Sequence, residues 1–204
     1  MTTTNAAEIG EASRRLSAAD HAGTIRSFYP FWDAQYRPYL LLALDALPHE
    51  RFDFKPRPEM LTAHQMIVHI AENEWGFINN IVDGGMNGKW EHWVVEHEDP
   101  SQGWKTVRDA PDHAALRGLL EESHRPTQRW FDRPAAELGR VFGWAGDGGV
   151  ERKATLHWIL DGVQEHEIHH RAQLNTYLRL MGVTRSPARI EGIASPPREG
   201  DDAE

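Results

Sequence analysis

The sequence predicts an all-α fold, an antiparallel four-helix bundle with a Trp/Gly-rich excursion between helices two and three. Three observations carry that expectation. Four separate segments repeat apolar residues at three- and four-residue steps, and each ends at capping or breaking residues. No strand pattern alternates with them and no internal repeat is present, which leaves helices packing on helices. A chain of 204 residues, 40% hydrophobic and with eight Trp, suits one globular domain. The bundle is expected over 22–184. It is flanked by a small, polar lead-in over 1–21 and by a Pro-rich acidic tail over 185–204.

The first helical segment runs from about Thr24 to Leu47, with Phe28, Trp32, Tyr36, Tyr39, Leu40 and Ala43 on its apolar face. Pro38 inside a continuous helix would cost about 3 kcal/mol, so a kink or break is expected near it. The second segment spans Thr62 to Val82. Thr62 is the expected N-cap, Asp83-Gly84-Gly85 the stop, and Met66, His69, Ile70, Asn73, Phe77 and Ile81 the inward stripe. The stretch from Met86 to Ala110 carries Trp90, Trp93 and Trp104 and offers no regular structure beyond a short helical turn. The third segment begins with Pro111 in its first turn, runs to about Phe131 and contains Pro126. Residues 138–153 read as an irregular or hairpin-like excursion around GDGG. The fourth segment spans Thr155 to Met181, closed by Gly182.

The bulk chemistry excludes several functions. A formal charge of -9 without a basic stripe argues against nucleic acid. The absence of cysteine removes disulfides, thiolate zinc sites and cysteine nucleophiles. No apolar run reaches the roughly 20 residues that cross a bilayer. The start, MTTTNAAEIGEASRRL, lacks the pattern of a signal peptide, so a cytoplasmic location is expected.

Twelve histidines raise the question of which ones share a face. In EHEIHHRAQ, His166 and His170 stand one turn apart, about 40° round the helix, whereas His169 points about 100° away from His170. Both fall between Val163 and Leu174 on the stripe Leu156, Leu160, Val163, Leu174, Leu178 and Met181. An inward imidazole pair needs partners, because an unsatisfied buried polar group costs about 1–3 kcal/mol. One metal ion satisfies both. His69, mid-way along the second segment's inward stripe, offers a third ligand. His64, His92, His97, His113, His124 and His157 are expected on solvated surface or loop. Glu72 and Asn73, one turn beyond His69, are candidates for orienting a ligand or moving a proton, with a solvated face as the simpler reading for Glu72. Glu165, Glu167 and Arg171 flank the pair and are expected off the ligand face.

HEIHHRAQL resembles the HxxxH-R-G-Q signature of the DinB/YfiT-like superfamily, and MIVHIAENEWGF resembles that family's second-helix pattern. The two motifs stand in the family's order, and the resemblance spans about Thr24 to Val183. Ala172 stands where the family often has Gly, a change between small residues, and His166 keeps an imidazole at a position some members vary. The resemblance implies a bundle with unusual connectivity between helices two and three, often dimeric. It also implies a divalent metal held by three His, which here are His69, His166 and His170. Characterised relatives include S-transferases and isomerases that use low-molecular-weight thiols.

The expected function is therefore a divalent-metal-dependent enzyme acting on a small molecule. A thiol S-transferase is the leading case, with a low-molecular-weight thiol as co-substrate. A metal-dependent hydrolase and a non-catalytic, stress-related metal-binding protein are the alternatives. Imidazole ligands suit zinc, nickel and iron alike, so metal identity stays open.

Overall fold

The computed structural model describes residues 23–84, 90–146 and 149–183. The expected lead-in and tail lie outside them. Four helices form the body: α1 (Arg37–Asp45), α2 (Ala63–Trp75), α3 (His113–Phe131) and α4 (Leu156–Leu180). The molecule is not purely helical. β1 (Val94–Glu96) pairs antiparallel with β2 (Trp104–Thr106), and β3 (Val141–Ala145) with β4 (Glu151–Thr155). The second hairpin matches the reading of residues 138–153, whereas the first stands where only a short helical turn was expected. Val94 opposite Thr106 supplies a β-branched pair that a helix-directed reading passes over.

Helix boundaries follow local chemistry. Pro38 lies in the first turn of α1, where a missing N–H costs little. Ahead of it the chain makes a wider, π-type turn over Trp32–Tyr36 instead of breaking. Thr62 caps α2 in a full capping box: its Oγ1 accepts from Gln65 N (3.1 Å), and Gln65 Oε1 accepts from Thr62 N (3.0 Å). Past Trp75, α2 continues as a π-type segment, Gly76–Val82, and stops near Gly84 at φ +66°. Asp112 caps α3, accepting from Ala115 N (2.8 Å). Thr155 caps α4, and Gly182, at φ +85°, ends it.

The bundle departs from simple antiparallel order. His64, at the start of α2, meets Ala110 just ahead of α3, and Glu74 meets Thr127 towards their other ends, so these helices run parallel. Trp32 meets Glu167 and Tyr36 meets Arg171, so α1 and α4 run parallel as well. Asp45 with Arg117 and Asp33 with His124 make α1 and α3 antiparallel. Leu61 with Tyr177 and His69 with His166 do the same for α2 and α4. The helices go up, down, down, up. A long crossover, residues 83–112, makes this possible, since only short loops force neighbouring helices to alternate.

Two apolar clusters occupy the ends of the bundle. One holds Leu40, Leu44, Met66, Leu116, Leu120, Leu174 and Leu178, and the other Ile25, Trp32, Ile78, Phe131, Leu156, Leu160 and Val163. Between them lies a buried polar layer of Arg37, Glu74, Ser123, His124, Thr127 and Glu167. His124 is thus core and not surface. Its Nδ1–H donates to Glu74 Oε1 (2.7 Å) and its Nε2–H to Asp33 Oδ1 (2.6 Å), an arrangement that needs the imidazolium. Burial opposes that charge, but Glu74 and Asp33 win and raise the pKa. Glu167 is also core, 2% exposed, accepting from Trp32 Nε1 (3.0 Å) and pairing with Arg37 (2.9 Å). The other histidines expected at the surface are tied in part to the fold. His64 and His113 bond the carbonyls of Ala110 and Leu47 at 2.7 Å, and His157 bonds the Tyr29 hydroxyl at 3.0 Å.

Candidate metal centre

His69, His166 and His170 converge at the seam between α2 and α4, at the level of the polar layer. Each offers a ring nitrogen, and these nitrogens all lie within 4.8 Å of one another. The Nε2 atoms of His69 and His166 are 3.1 Å apart. Two imidazole nitrogens about 2.1 Å from a tetrahedral ion would stand about 3.4 Å apart, so this spacing suits a shared ion. All three residues are half-buried. The full stripe of α4 places Glu167 at the bundle centre and turns His166 and His170 to the seam, open to solvent on one side. That is a correction to a fully inward pair, and it follows from the rotation between adjacent residues.

The electrostatics suit ligands. Burial, with repulsion from His170 and His69, pulls the His166 imidazole down to about 3. Burial and His69 likewise pull His170 to about 4. Both rings are therefore neutral at pH 7, the form that binds metal. Among the described residues the buried His166 Nδ1 has no partner, and His166 Nε2 faces His69 Nε2. An ion among the facing ring nitrogens would take a lone pair from each of the three, whereas one N–H···N bond joins only two rings.

Outer partners fix two of the rings. His170 Nδ1–H donates to Gln173 Oε1 (2.8 Å), leaving Nε2 with its lone pair free, and the Gln173 amide donates to His169 Nε2 (2.9 Å). His169 does face away from the cluster, but it steadies the glutamine that steadies His170. Glu72 is not on a solvated face. It is 3% exposed, with Oε2 3.7 Å from His69 Nδ1, beyond hydrogen-bond length, so it acts on that ring by charge. Burial would raise the Glu72 pKa, but His69, Trp90 and the Val94 N–H together lower it. Asn73 stands one turn from His69, half-buried, and its buried Oδ1 has no partner among the described residues. Arg171 lies over the rings of Tyr36 and Tyr39, 5.6 Å from each centroid, and forms no carboxylate pair among the described residues.

The Trp-rich excursion reaches the site. Trp93 is core, while Trp90 and Trp144 pack edge-on against Phe77 with centroids 5.1 Å and 6.1 Å away. The Trp90 ring also lies over Gly76, where a Cβ would stand 2.5 Å from it. Gly76→Ala is expected to displace Trp90 and cost about 1–3 kcal/mol by overpacking. Urea unfolding measures the cost, and an unchanged midpoint and tryptophan emission would contradict this account of the glycine. Sequence reasoning missed Gln173, whose signal was its i+3 spacing from His170. It also missed the reach of Trp90 and His92 towards Glu72, for which the sequence holds no local signal.

The family model described as "DinB family" matches residues 28–196. An "Uncharacterized protein YjoA" of Bacillus subtilis is 27% identical over 143 residues, which make up 70% of this chain and 82% of YjoA. The crystal structure of that DinB-like protein gives a TM-score of 0.49 at 22% identity, covering 72% of this chain and 86% of the other. A DinB-like protein from Bacillus cereus gives a TM-score of 0.51 at 18% identity, covering 78% and 93%. This last likeness shows a common fold. No described helix is long and apolar enough to cross a membrane.

Proposed function

The chain belongs to the DinB family, and on that footing we propose that it is a divalent-metal-dependent enzyme whose open coordination position takes a low-molecular-weight thiol for S-transfer. The observation that carries this reading is the convergence of three imidazoles with no fourth His, Cys, Asp or Glu in the group among the described residues. Structural sites close four protein ligands around an ion, whereas catalytic sites keep a position free. When bound, the ion would supply Lewis acidity that favours the thiolate of a coordinated thiol. The chain has no cysteine, so a sulfur nucleophile has to arrive with the co-substrate.

The protein's own residues divide the remaining work. His69, His166 and His170 hold the ion, Gln173 fixes the tautomer of His170, and Glu72 sets a negative charge behind His69. The buried Oδ1 of Asn73 is the proposed acceptor for a hydrogen bond from the bound molecule. Phe77, Trp90 and Trp144 give the neighbourhood its apolar side.

Elemental analysis of protein purified without a polyhistidine tag is expected to find a divalent metal, with most of it lost in His69→Ala, His166→Ala or His170→Ala. Full retention in any variant removes that residue from the ligand set. In cobalt-loaded protein a small thiol is expected to shift the visible spectrum. A spectrum blind to thiols but shifting with pH would support a bound water and hydrolysis instead.

A further inference from the structure

We propose that Trp90 and His92 are positioning residues of the metal centre, acting on the ligand His69 through Glu72; this rests on the reading that the three histidines hold a metal. Glu72 is buried, yet almost everything that fixes it comes from outside its own helix. Its Oε1 accepts from the Trp90 indole N–H (3.2 Å) and from His92 Nδ1–H (3.1 Å). Its Oε2 accepts from the Val94 backbone N–H (3.1 Å) and faces His69 Nδ1. Three donors within five residues of chain therefore aim one carboxylate at one ligand.

The geometry separates this role from simple packing. The His92 side chain is 60% exposed, so it fills no core, and its carboxylate partner is Glu72. Trp90 contributes ring area against Phe77 and Gly76, but its N–H is spent on Glu72. Val94 opens β1, and Trp93 beside it is 1% exposed, so the donors are anchored in the core from the other side. A carboxylate held from three directions cannot swing away from His69, and preorganised support of this kind sets metal affinity. Coupling is reciprocal: whatever tightens the ion at His69 tightens the seat of residues 90–94 by the same free energy.

Zinc affinity, measured by competition with a chromophoric chelator, tests the proposal in the full chain. Glu72→Gln is expected to weaken zinc binding by about 10–100-fold, the range for lost outer partners of metal-bound His. Trp90→Phe keeps an aromatic side chain and removes the donor, and His92→Ala removes an exposed one. Each is expected to weaken binding by about tenfold at the low end of that range. His92→Gln, whose amide can donate, is expected to recover most of the loss. Melting of the zinc-free protein is expected to stay unchanged for His92→Ala, which separates positioning from folding. Wild-type affinity in both Trp90→Phe and His92→Ala would overturn the positioning role while leaving the three-histidine site intact. No zinc uptake by the unsubstituted protein would overturn the site itself, and the positioning role with it.

Discussion

Arg37→Leu is expected to destabilise the fold by about 3–5 kcal/mol at pH 7, the cost of breaking a buried charge pair from one side. Arg37 is 7% exposed and bridges the carboxylates of Glu74 and Glu167, which are themselves 1% and 2% exposed. Without it, one imidazolium, His124, faces Glu74, Glu167 and Asp33 at the centre of the bundle. The pH dependence is the sharper part. In the intact protein burial alone would raise Glu74, but Arg37 and His124 hold it at about 2, against 4.5 when unperturbed. A depressed folded value contributes stability above pH 4.5 that is lost as pH falls towards 2. Asp33, held at about 2 chiefly by its hydrogen bond from His124, adds to the same acid loss.

In the intact protein burial already raises the Glu167 pKa against the pull of Arg37; in Arg37→Leu that cation is gone, so Glu167 rises further and Glu74 is expected to join it, both binding protons more tightly when folded than when unfolded. Their contribution is then present below pH 4.5 and lost as pH rises. Urea unfolding at pH 7 and pH 4.5 reads the difference. The gap between variant and wild type is expected to narrow in acid. A constant gap would mean that Arg37 contributes by packing alone. His124, with its raised pKa, gives the wild type a second limit: its contribution is full below 6.5 and declines as pH rises through the folded value.

The second large effect has opposite signs with and without metal. His166→Leu is expected to abolish tight metal binding and, in metal-free protein, to raise stability by about 1–2 kcal/mol. The metal-free wild type buries an imidazole whose Nδ1 has no partner among the described residues, and replacing such a group by an apolar one of similar shape is neutral or stabilising. With an ion present at a thousandfold excess over its Kd, the wild type gains about 4.1 kcal/mol that the variant cannot. Thermal melts of both proteins with chelator and with zinc supply the four numbers. If chelator leaves wild type and variant equally stable and zinc moves neither, the site is not a metal centre. A site that is unstable when empty is what a preorganised functional centre looks like in energetic terms.

Much of this was legible before any coordinates. Thr62, Thr155 and Gly182 marked helix ends because capping is local chemistry, satisfied within four residues. The i, i+4 pair His166 and His170 was legible for the same reason, since 3.6 residues per turn fixes which side chains share a face. His69 needed one more step, the assumption that α2 packs on α4. The first hairpin was not legible, because strands as short as Val94–Glu96 carry too few residues for a period of two to stand out.

The polar layer shows the other limit most clearly. Glu74, His124, Glu167 and Arg37 look like surface residues one at a time, since charged side chains are almost never buried unless paired. Whether they are paired depends on which helices meet and in which direction. By itself the sequence determined where α2 and α4 begin and where α4 ends, which faces are apolar, and that His166 and His170 share a face of α4, whereas the single first helix expected over 24–47 is a 3-10 turn, a π-type turn and α1 in succession. Only the tertiary structure decided that α2 and α3 run parallel, that four charged residues from four helices neutralise one another in the core, and that Trp90 and His92 reach the carboxylate behind His69. Those are contacts between residues 18 to 130 positions apart. Their energies depend on burial and on the angle between helices, neither of which any local pattern encodes.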